Sequence, residues 1–426
     1  MYEYKTLDKI LDRENLNNAY KRVKRNKGAA GVDKMTIEEL GGYLILHKDE
    51  IIQEIRERKY QPKPVLRKEI PKPDGGVRLL GIPTVLDRVI QQAISQVLMP
   101  IFDSQFSDHS YGFRPRRQAQ MAIVKALEYI NDGYDWIVDI DLERFFDTVN
   151  HDRLMNLIAQ TIDDGDVISL IRKYLVSGIQ IDEVYKESVI GTPQGGNLSP
   201  LLSNIMLNEL DKELEARGLR FVRYADDCII MVKSEMAARR VMRSVTAFIE
   251  EKLGLIVNAT KSQITKPNNP EMKFLSFGFF RDKTGTYKAK PHSKAVNNFK
   301  YKLKQLTKKN WGVSTEYQVE RINQTIRGWV NYFKIGYMKS ILKGIDSHTR
   351  VRMRACIWIK WKTARNRRKN LIKLGMNKYN AYKYSHTSKG AVRTAYSWIL
   401  TTTITNKRLE RFGLLSSVEH YNKVHI

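Results

Sequence analysis

The strongest constraint on the fold comes from two adjacent carboxylates held between two apolar runs. In "RFVRYADDCIIMV", residues 220–232, Asp226 and Asp227 separate two segments typical of buried strands. Asp tolerates turn dihedrals and bonds its own backbone, so one interpretation is a simple hairpin turn. The other is that a divalent cation compensates the pair, because neighbouring carboxylates repel and one would otherwise take up a proton. That interpretation requires further ligands from elsewhere in the chain.

A second acidic pair ends another apolar strand. In "YDWIVDIDLERFF", alternation places Ile137, Asp139 and Asp141 on one face of a strand that passes into a helix. A two-metal centre for phosphoryl transfer needs carboxylates from at least two segments, and Asp141 with Asp226 and Asp227 would supply three. Two Mg²⁺ ions fit, because Mg²⁺ prefers oxygen ligands and accepts others from water and phosphates; Mn²⁺ is a possible substitute.

The net charge of +27 is distributed very unevenly along the 426 residues. Residues 1–280 contain 40 Lys and Arg and 40 Asp and Glu, whereas residues 281–426 contain 33 and 6. The basic residues of the last third alternate with Trp and Tyr, as in "RMRACIWIKWKTARNRRK" and "YNAYKYSH". Cations with base-stacking rings predict RNA or DNA as a partner rather than lipid.

Local patterns divide the chain into an α/β part and a basic helical module. "VLRKEIPKPDGGVRLLGI" and "KFLSFGFFRDKTGTYKA" are typical of β-hairpins. An amphipathic helix is predicted over about 235–253, with a short strand around Ile256, and the pattern is helical from Ser293 onward. No apolar segment approaches the roughly 20 residues that span a bilayer, and the N-terminus is too polar for a secretory signal. With Cys228 and Cys356 forming no CxxC pair or disulfide framework, we expect a cytoplasmic protein with no membrane partner.

Three motifs, "DIDLERFFDTVNH", "GTPQGGNLSPLLSNIMLNELD" and "RYADD", resemble in that order the polymerase motifs of reverse transcriptases. "NKGAAGVDKMT", "SYGFRPRRQAQMA" and "QTIRGWVNYF" are similar to segments specific to the reverse transcriptases of bacterial group II introns. The resemblance implies an α/β right-hand polymerase with fingers, a ferredoxin-like palm and a thumb. It implies fingers and palm over 1–290, with an N-terminal extension to about residue 60. A helical thumb/maturase domain over 291–385 and a basic DNA-binding region over 386–426 would follow.

The resemblance also chooses between the two strand-end acids. In the family, the metal-binding Asp lies five residues before an aromatic that packs against the incoming sugar. Counting back from Phe146 gives Asp141, with Asp139 as a supporting acid, although the reverse assignment stays open. A ring at Phe146 would collide with a ribose 2′-hydroxyl and favour deoxynucleotides. For Phe145 or Phe146, core packing at a helix start is the simpler alternative.

The resemblance implies four further site residues, of which two lie in the fingers hairpin and two in later motifs. Lys72 and Arg78 in the fingers hairpin would hold the triphosphate, with Arg67 and Lys68 as less certain helpers. Solvated surface charge is the ordinary alternative for each of these cations.

The other two of these four site residues come from later motifs. Gln194 in "GTPQGG" would contact the templating base pair, in a loop whose glycines admit a nucleic-acid strand. Lys261 in "NATKSQ" would protonate the leaving pyrophosphate, although an exposed structural Lys explains it equally well. "KFLSFGF" matches the primer-gripping hairpin of the family.

The function implied is RNA-directed DNA synthesis for a group II intron, combined with a maturase role in splicing. The expected partners are intron RNA, an RNA template with a DNA or RNA primer, target DNA and deoxynucleoside triphosphates. The sequence ends at Ile426 without the cysteine pairs and histidines of an intron endonuclease, so we do not expect second-strand cleavage. Two alternatives stay open: an RNA-binding splicing factor with a vestigial polymerase site, and a reverse transcriptase of a retron or CRISPR-linked system. The intact acidic triad favours an active enzyme over the first, and "RGWVNYF" with the basic C-terminal third favours an intron protein over the second.

Overall fold

The computed structural model describes residues 5–71, 76–181, 184–186, 191 and 195–425. Its contacts form two compact units, Met1–Lys266 and Pro267–Ile426. This division precedes the predicted boundary after residue 290, because the hairpin expected in "KFLSFGFFRDKTGTYKA" belongs to the second unit. Within the described ranges, no helix is long and apolar enough to cross a membrane.

Two four-stranded sheets organise the first unit. Its strands are β1 (Val65–Pro71), β2 (Val77–Ile82), β3 (Trp136–Ile140), β4 (Ile179–Ile181), β5 (Val184–Lys186), β6 (Arg220–Tyr224), β7 (Asp227–Val232) and β8 (Gln263–Thr265). Its helices are α1 (Thr6–Leu11), α2 (Arg13–Asn26), α3 (Ile37–Arg56), α4 (Val85–Asp103), α5 (Ala119–Asn131), α6 (Phe145–Thr148), α7 (His151–Ala159), α8 (Gly165–Val176), α9 (Ser199–Ala216) and α10 (Glu235–Ala247), the last continued by a π-helical turn, Phe248–Leu253.

The first sheet is antiparallel, with the strand order β6-β7-β3-β8. Helix α9 lies between β3 and β6 in the chain and α10 between β7 and β8, so the connection is β-α-β-β-α-β. This is the ferredoxin-like arrangement expected for the palm, and the predicted α/β class is confirmed. Helix α9 is buried along most of its length, because its apolar face packs into a core shared with α4 and the sheet.

The second sheet has the order β2-β1-β4-β5 and contains the predicted fingers hairpin. Strands β1 and β2 pair antiparallel with Pro71 opposite Val77, which confirms the hairpin. Residues 72–75, which connect the two strands and include Lys72, lie outside the described residues, as does Gln194. The predictions for Lys72 and Gln194 therefore stay predictions.

One local expectation was wrong. The short strand predicted around Ile256 is reduced to an isolated bridge between Leu142 and Val257, and the strand that joins the sheet is β8. Ile256 is about half exposed, so its apolar side chain does not supply the buried face that a strand there would need.

The second unit begins with a hairpin and continues as helices. Strands β9 (Phe277–Arg281) and β10 (Tyr287–Pro291) pair antiparallel, which confirms the second predicted hairpin. The helices are α11 (Ser293–Leu306), α12 (Thr315–Phe333), α13 (Lys339–Lys360), α14 (Ala364–Lys373), α15 (Lys378–Ser385), α16 (Ala391–Tyr396), α17 (Trp398–Thr403), α18 (Asn406–Arg411) and α19 (Ser417–Val424). Phe299 of α11 stacks on Trp329 of α12 with centroids 4.4 Å apart, so "RGWVNYF" contributes to the core of this unit.

Candidate active site

Strand pairing brings the three predicted metal-binding carboxylates to one end of the palm sheet. Ile140, the last residue of β3, lies opposite Cys228 of β7. Asp141 follows Ile140 and Asp227 precedes Cys228, so both lie at the same end of these two paired strands. Asp226 lies beside them in the two-residue loop between Tyr224 and Asp227, which are paired.

The loop carrying Asp226 is fixed by a buried arginine. Arg223 is fully buried on β6 and forms a two-pronged ion pair with the equally buried Asp211 of α9. Its third nitrogen donates to the carbonyl of Ala225, at 2.9 Å, and to Oδ1 of Asn204, at 3.0 Å. Ala225 has a φ of 57°, a conformation that costs a non-glycine residue about 1–2 kcal/mol. The arginine therefore holds a strained turn in one shape.

Asp141 is positioned by the segment that contains "NATKSQ". The backbone N–H of Asn258 donates to the carbonyl of Asp141 at 2.8 Å, and Oγ of Ser262 accepts from the N–H of Asp141 at 3.1 Å. Nζ of Lys261 lies 3.8 Å from the Asp141 carboxylate. Both side chains are partly exposed, so this ion pair is weak and its partners can separate.

Of the two phenylalanines at the start of α6, one packs in the core and the other lines the cavity. Phe145 is buried, and its ring meets that of Phe146 edge-on with centroids 5.2 Å apart. Phe146 is only partly buried and lines the same cavity as the carboxylates. The next residue, Asp147, accepts from Arg67 of β1 at 2.9 Å, so Arg67 has a protein partner.

Six of the eight predicted site residues line one cavity of about 800 Å³. They are Asp141, Asp226, Asp227, Lys261, Arg78 and Phe146. The two that are missing, Lys72 and Gln194, are the ones outside the described residues. Asp139, in β3, does not line this cavity, whereas Asp141 does.

The described lining of this cavity is acidic although the chain is strongly basic. Its acidic residues are Glu69, Asp141, Glu143, Asp147, Asp226 and Asp227, and its basic ones are Arg78, Arg144 and Lys261. Carboxylate oxygens from two strand ends are donors suited to hard divalent cations. Among the described residues, no group of three His, Cys, Asp or Glu side chains is gathered closely enough to hold an ion by itself. The donor set fits a cation that takes its remaining ligands from water and substrate phosphates.

Burial raises the pKa of the Cys228 thiol far above its usual range. Cys228 adjoins Asp227 in the chain, but its side chain is buried in the core of the first unit.

Sequence analysis missed the residues that support the turn. Arg223, Asp211 and Asn204 were not singled out, and neither was Ser262. One signal for Arg223 was available, because a charged residue two positions before a buried turn residue in an apolar strand requires a partner. The identity of that partner was not readable from the sequence.

Two family profiles match parts of the chain. A profile described as "Reverse transcriptase (RNA-dependent DNA polymerase)" matches residues 70–279, and one described as "Group II intron, maturase-specific domain" matches residues 296–375. The chain is 32% identical over 284 residues to Protein YkfC of Escherichia coli, a match that covers 57% of this chain and 74% of that protein. It is 30% identical over 335 residues to the group II intron-encoded protein LtrA of Lactococcus lactis, covering 63% of this chain and 55% of LtrA.

Solved structures also align with part of the chain. A chain of a partial Cas6-RT-Cas1–Cas2 complex aligns with 60% of this chain and 44% of its own length, at 26% identity. Its TM-score of 0.38 is too low to identify a shared fold.

The palm sheet, its acidic edge and the first profile define a reverse transcriptase, the class of RNA-directed DNA polymerases. With the maturase-specific domain in its second unit, the chain belongs to the group II intron-encoded reverse transcriptases and maturases. Enzymes with this domain use divalent metal ions, and proteins of this family have nucleic acids, including intron RNA, as partners. The chain spans only about half the length of LtrA, so its full set of substrates and partners belongs to the proposal below.

Proposed function

We propose that this protein extends a DNA or RNA primer on an RNA template with deoxynucleoside triphosphates, and that it assists the splicing and mobility of its group II intron. The observation that carries the proposal is that Asp141, Asp226 and Asp227 line one acidic cavity together with Arg78, Phe146 and Lys261. Because nucleic acids are its substrates, its proposed place of action is the bacterial cytoplasm.

The three aspartates are proposed to hold two Mg²⁺ ions, with Mn²⁺ as a possible substitute. Bound there, the ions would activate the primer 3′-oxygen and stabilise charge on the phosphates. The chain itself contributes orientation, because Arg223 fixes the turn that carries Asp226, and Asn258 with Ser262 fixes the backbone of Asp141.

Cationic side chains are proposed to act on the triphosphate. Arg78 projects from β2 and lines the cavity, and Lys72, from the adjacent turn, is proposed to accompany it. Both would hold phosphate oxygens as negative charge develops on the leaving group. Lys261 would give a proton to the pyrophosphate, and its weak contact with Asp141 leaves its Nζ available for that transfer.

Substrate choice is proposed to depend on Phe146 and Gln194. Phe146 lies between the buried Phe145 and the cavity, so its ring is supported from behind and cannot easily retreat from a 2′-hydroxyl. Gln194 is proposed to contact the templating base pair from the loop that begins at Gly191.

The second unit is proposed to bind the RNA and DNA partners. Residues 281–426 hold the entire net positive charge, and phosphate contacts dominate the affinity of such surfaces. Exposed rings accompany the charge, and they include Tyr379, Tyr382, Tyr396 and Trp398. The match of the maturase-specific profile to residues 296–375 supports intron RNA as the principal ligand.

A primer-extension experiment tests the proposal. Wild-type protein, Asp226→Asn and the matched control Asp152→Asn would be compared on an RNA template with an annealed primer, deoxynucleotides and Mg²⁺. Asp152 is exposed and pairs with Arg172 on the surface, so its replacement makes the same charge change away from the cavity. RNA binding is measured in parallel to show that each variant is folded.

We expect Asp226→Asn to lose extension and keep RNA binding, and Asp152→Asn to keep both. Extension at the wild-type rate by Asp226→Asn would refute the site assignment. A folded wild type that binds RNA and stimulates splicing but extends no primer would instead establish the alternative of a splicing factor with a vestigial polymerase site.

A further inference from the structure

The motif "SYGFRPRR" forms a loop with unusual backbone strain beside the acidic cavity. Phe113 and Arg116 both have a φ of 60°. For a bulky side chain this left-handed conformation is a genuine outlier, because Cβ approaches the following carbonyl oxygen. Strain of this kind persists only where the surrounding structure imposes it, and it is concentrated at functional sites.

The surrounding side chains do impose this loop shape. The buried guanidinium of Arg114 donates to the carboxylate of Asp103 at 2.7 Å and to the carbonyls of Ser107 and Ser110. Arg117 donates to Asp108 through two bonds of 2.6 Å each. These hydrogen bonds therefore tie the loop back to the segment from Asp103 to Ser110.

The loop lies directly against the turn that carries Asp226. A Cβ built on Gly112 would come within 2.2 Å of the Ala225 nitrogen, so only glycine permits this approach. Nδ2 of Asn204 donates to the Gly112 carbonyl at 2.8 Å, and the same side chain accepts from Arg223. One set of hydrogen bonds thus fixes both the aspartate turn and the loop beside it.

Phe113 and Arg116 are both exposed on this anchored loop. Phe113 is 46% exposed, and Arg116 is also in the exposed class of residues. Neither side chain contributes to the core, although the backbone at both positions is strained. An exposed apolar ring on a rigid, strained loop is a surface prepared for a ligand.

We infer that Phe113 and Arg116 contact the primer strand next to its 3′ end. This inference rests on the proposed function, in which the primer 3′-oxygen reacts beside Asp226. Since Phe113 follows the residue that touches the Asp226 turn, the last nucleotides of the primer come within reach of its ring. The ring would pack on a nucleotide face or sugar, and the Arg116 guanidinium would pair with a backbone phosphate.

Binding of a recessed primer end tests the inference without requiring catalysis. The affinity for an RNA template carrying an annealed primer is compared with the affinity for the same template without a primer. The variants are Phe113→Ala, Phe113→Gly, Phe113→Tyr and the control Met236→Ala, an exposed apolar residue on α10. Ala and Gly both remove the ring, but only Gly relieves the strain at a positive φ.

If the ring binds the primer, Phe113→Ala and Phe113→Gly both lose about tenfold in affinity for the primed template, the scale of one ring stacking on one base. Template alone binds them as it binds wild type, while Phe113→Tyr and Met236→Ala keep wild-type affinity for both. Phe113→Gly unfolds at a higher temperature than Phe113→Ala, so it carries the test if the alanine variant does not fold.

Two results overturn the inference. Wild-type affinity of Phe113→Gly for the primed template would show that the ring does not bind the primer and that a loss in Phe113→Ala comes from a changed loop shape. Equal losses on primed and unprimed template mean that the ring does not recognise the primer. A wild type that extends no primer counts against the proposed function instead, because the binding comparison is independent of extension.

For Arg116, replacement by Gln should lower the slope of log affinity against log salt by about one on the primed template, the effect of one lost phosphate contact. An unchanged slope would remove Arg116 from the contact.

Discussion

The buried pair of Arg223 and Asp211 gives a prediction in which stability and activity separate. Both side chains have 0% exposure, and the guanidinium joins both carboxylate oxygens. Replacing Arg223 by Met leaves the Asp211 carboxylate buried without its cation. Removing one partner of such a pair costs about 3–5 kcal/mol in the free energy of unfolding. For a unit of this size, that corresponds to a fall in melting temperature on the order of 10 °C.

A second variant separates the effect of the buried charge from the effect of the hydrogen bond that fixes the turn. Replacing Arg223 by Met and Asp211 by Leu together removes both charges, and double replacements of this kind restore most of the lost stability. The bond to the Ala225 carbonyl is still absent, so the turn that carries Asp226 stays poorly fixed. We expect both variants to extend primers at least about tenfold more slowly than wild type, because small misplacements of catalytic groups are costly.

Thermal unfolding followed by circular dichroism and single-turnover primer extension measure the two effects. The double variant should unfold near the wild-type temperature and extend slowly. The reasoning is refuted if Arg223→Met melts within about 1 °C of wild type, a shift that corresponds to less than 1 kcal/mol. It is also refuted if the double variant extends at the wild-type rate.

Two further predictions concern the cavity. Phe146→Val should reduce discrimination against ribonucleoside triphosphates by about 10- to 200-fold, the range for a pocket that loses a shape contact. Discrimination is measured as the ratio of kcat/KM for deoxynucleotides to kcat/KM for ribonucleotides. Unchanged discrimination would exclude the ring as the selecting group. Lys261→Gln should lower kcat by about 10²- to 10⁴-fold with little change in the KM for deoxynucleotides, because a general acid acts only in the transition state. A rise in KM at constant kcat would mean that Lys261 only binds the substrate.

Local sequence patterns predicted the elements that depend on neighbouring residues. The fingers hairpin and the hairpin of the second unit were identified from turn residues between alternating runs, and both form. The apolar spacing of the helical module is also confirmed, since Val319, Ile322 and Ile326 are buried on α12. In these segments the spacing of apolar residues in the sequence matches the spacing of residues on the buried face of the helix or strand.

Features that depend on distant residues could not be read in this way. The pairing of β3 with β7 joins segments about 90 residues apart, so only the chemistry of a two-metal centre and the family resemblance suggested that Asp141 lies near Asp226. The partner of Arg223 is on α9, twelve residues earlier, where Asp211 looks like an ordinary helix-surface acid. The positive φ of Phe113 is imposed by Arg114 and Gly112, and nothing about a phenylalanine indicates it.

The most direct test of the account is to count the divalent ions bound at the acidic cavity. Mn²⁺ binding would be measured by electron paramagnetic resonance with a primed RNA template and a non-hydrolysable deoxynucleotide, for wild type, Asp226→Asn and Asp152→Asn. The account predicts that wild type and Asp152→Asn bind the same number of tightly held ions and that Asp226→Asn binds fewer. Equal Mn²⁺ binding by all three proteins would contradict the claim that the paired aspartates hold the metal.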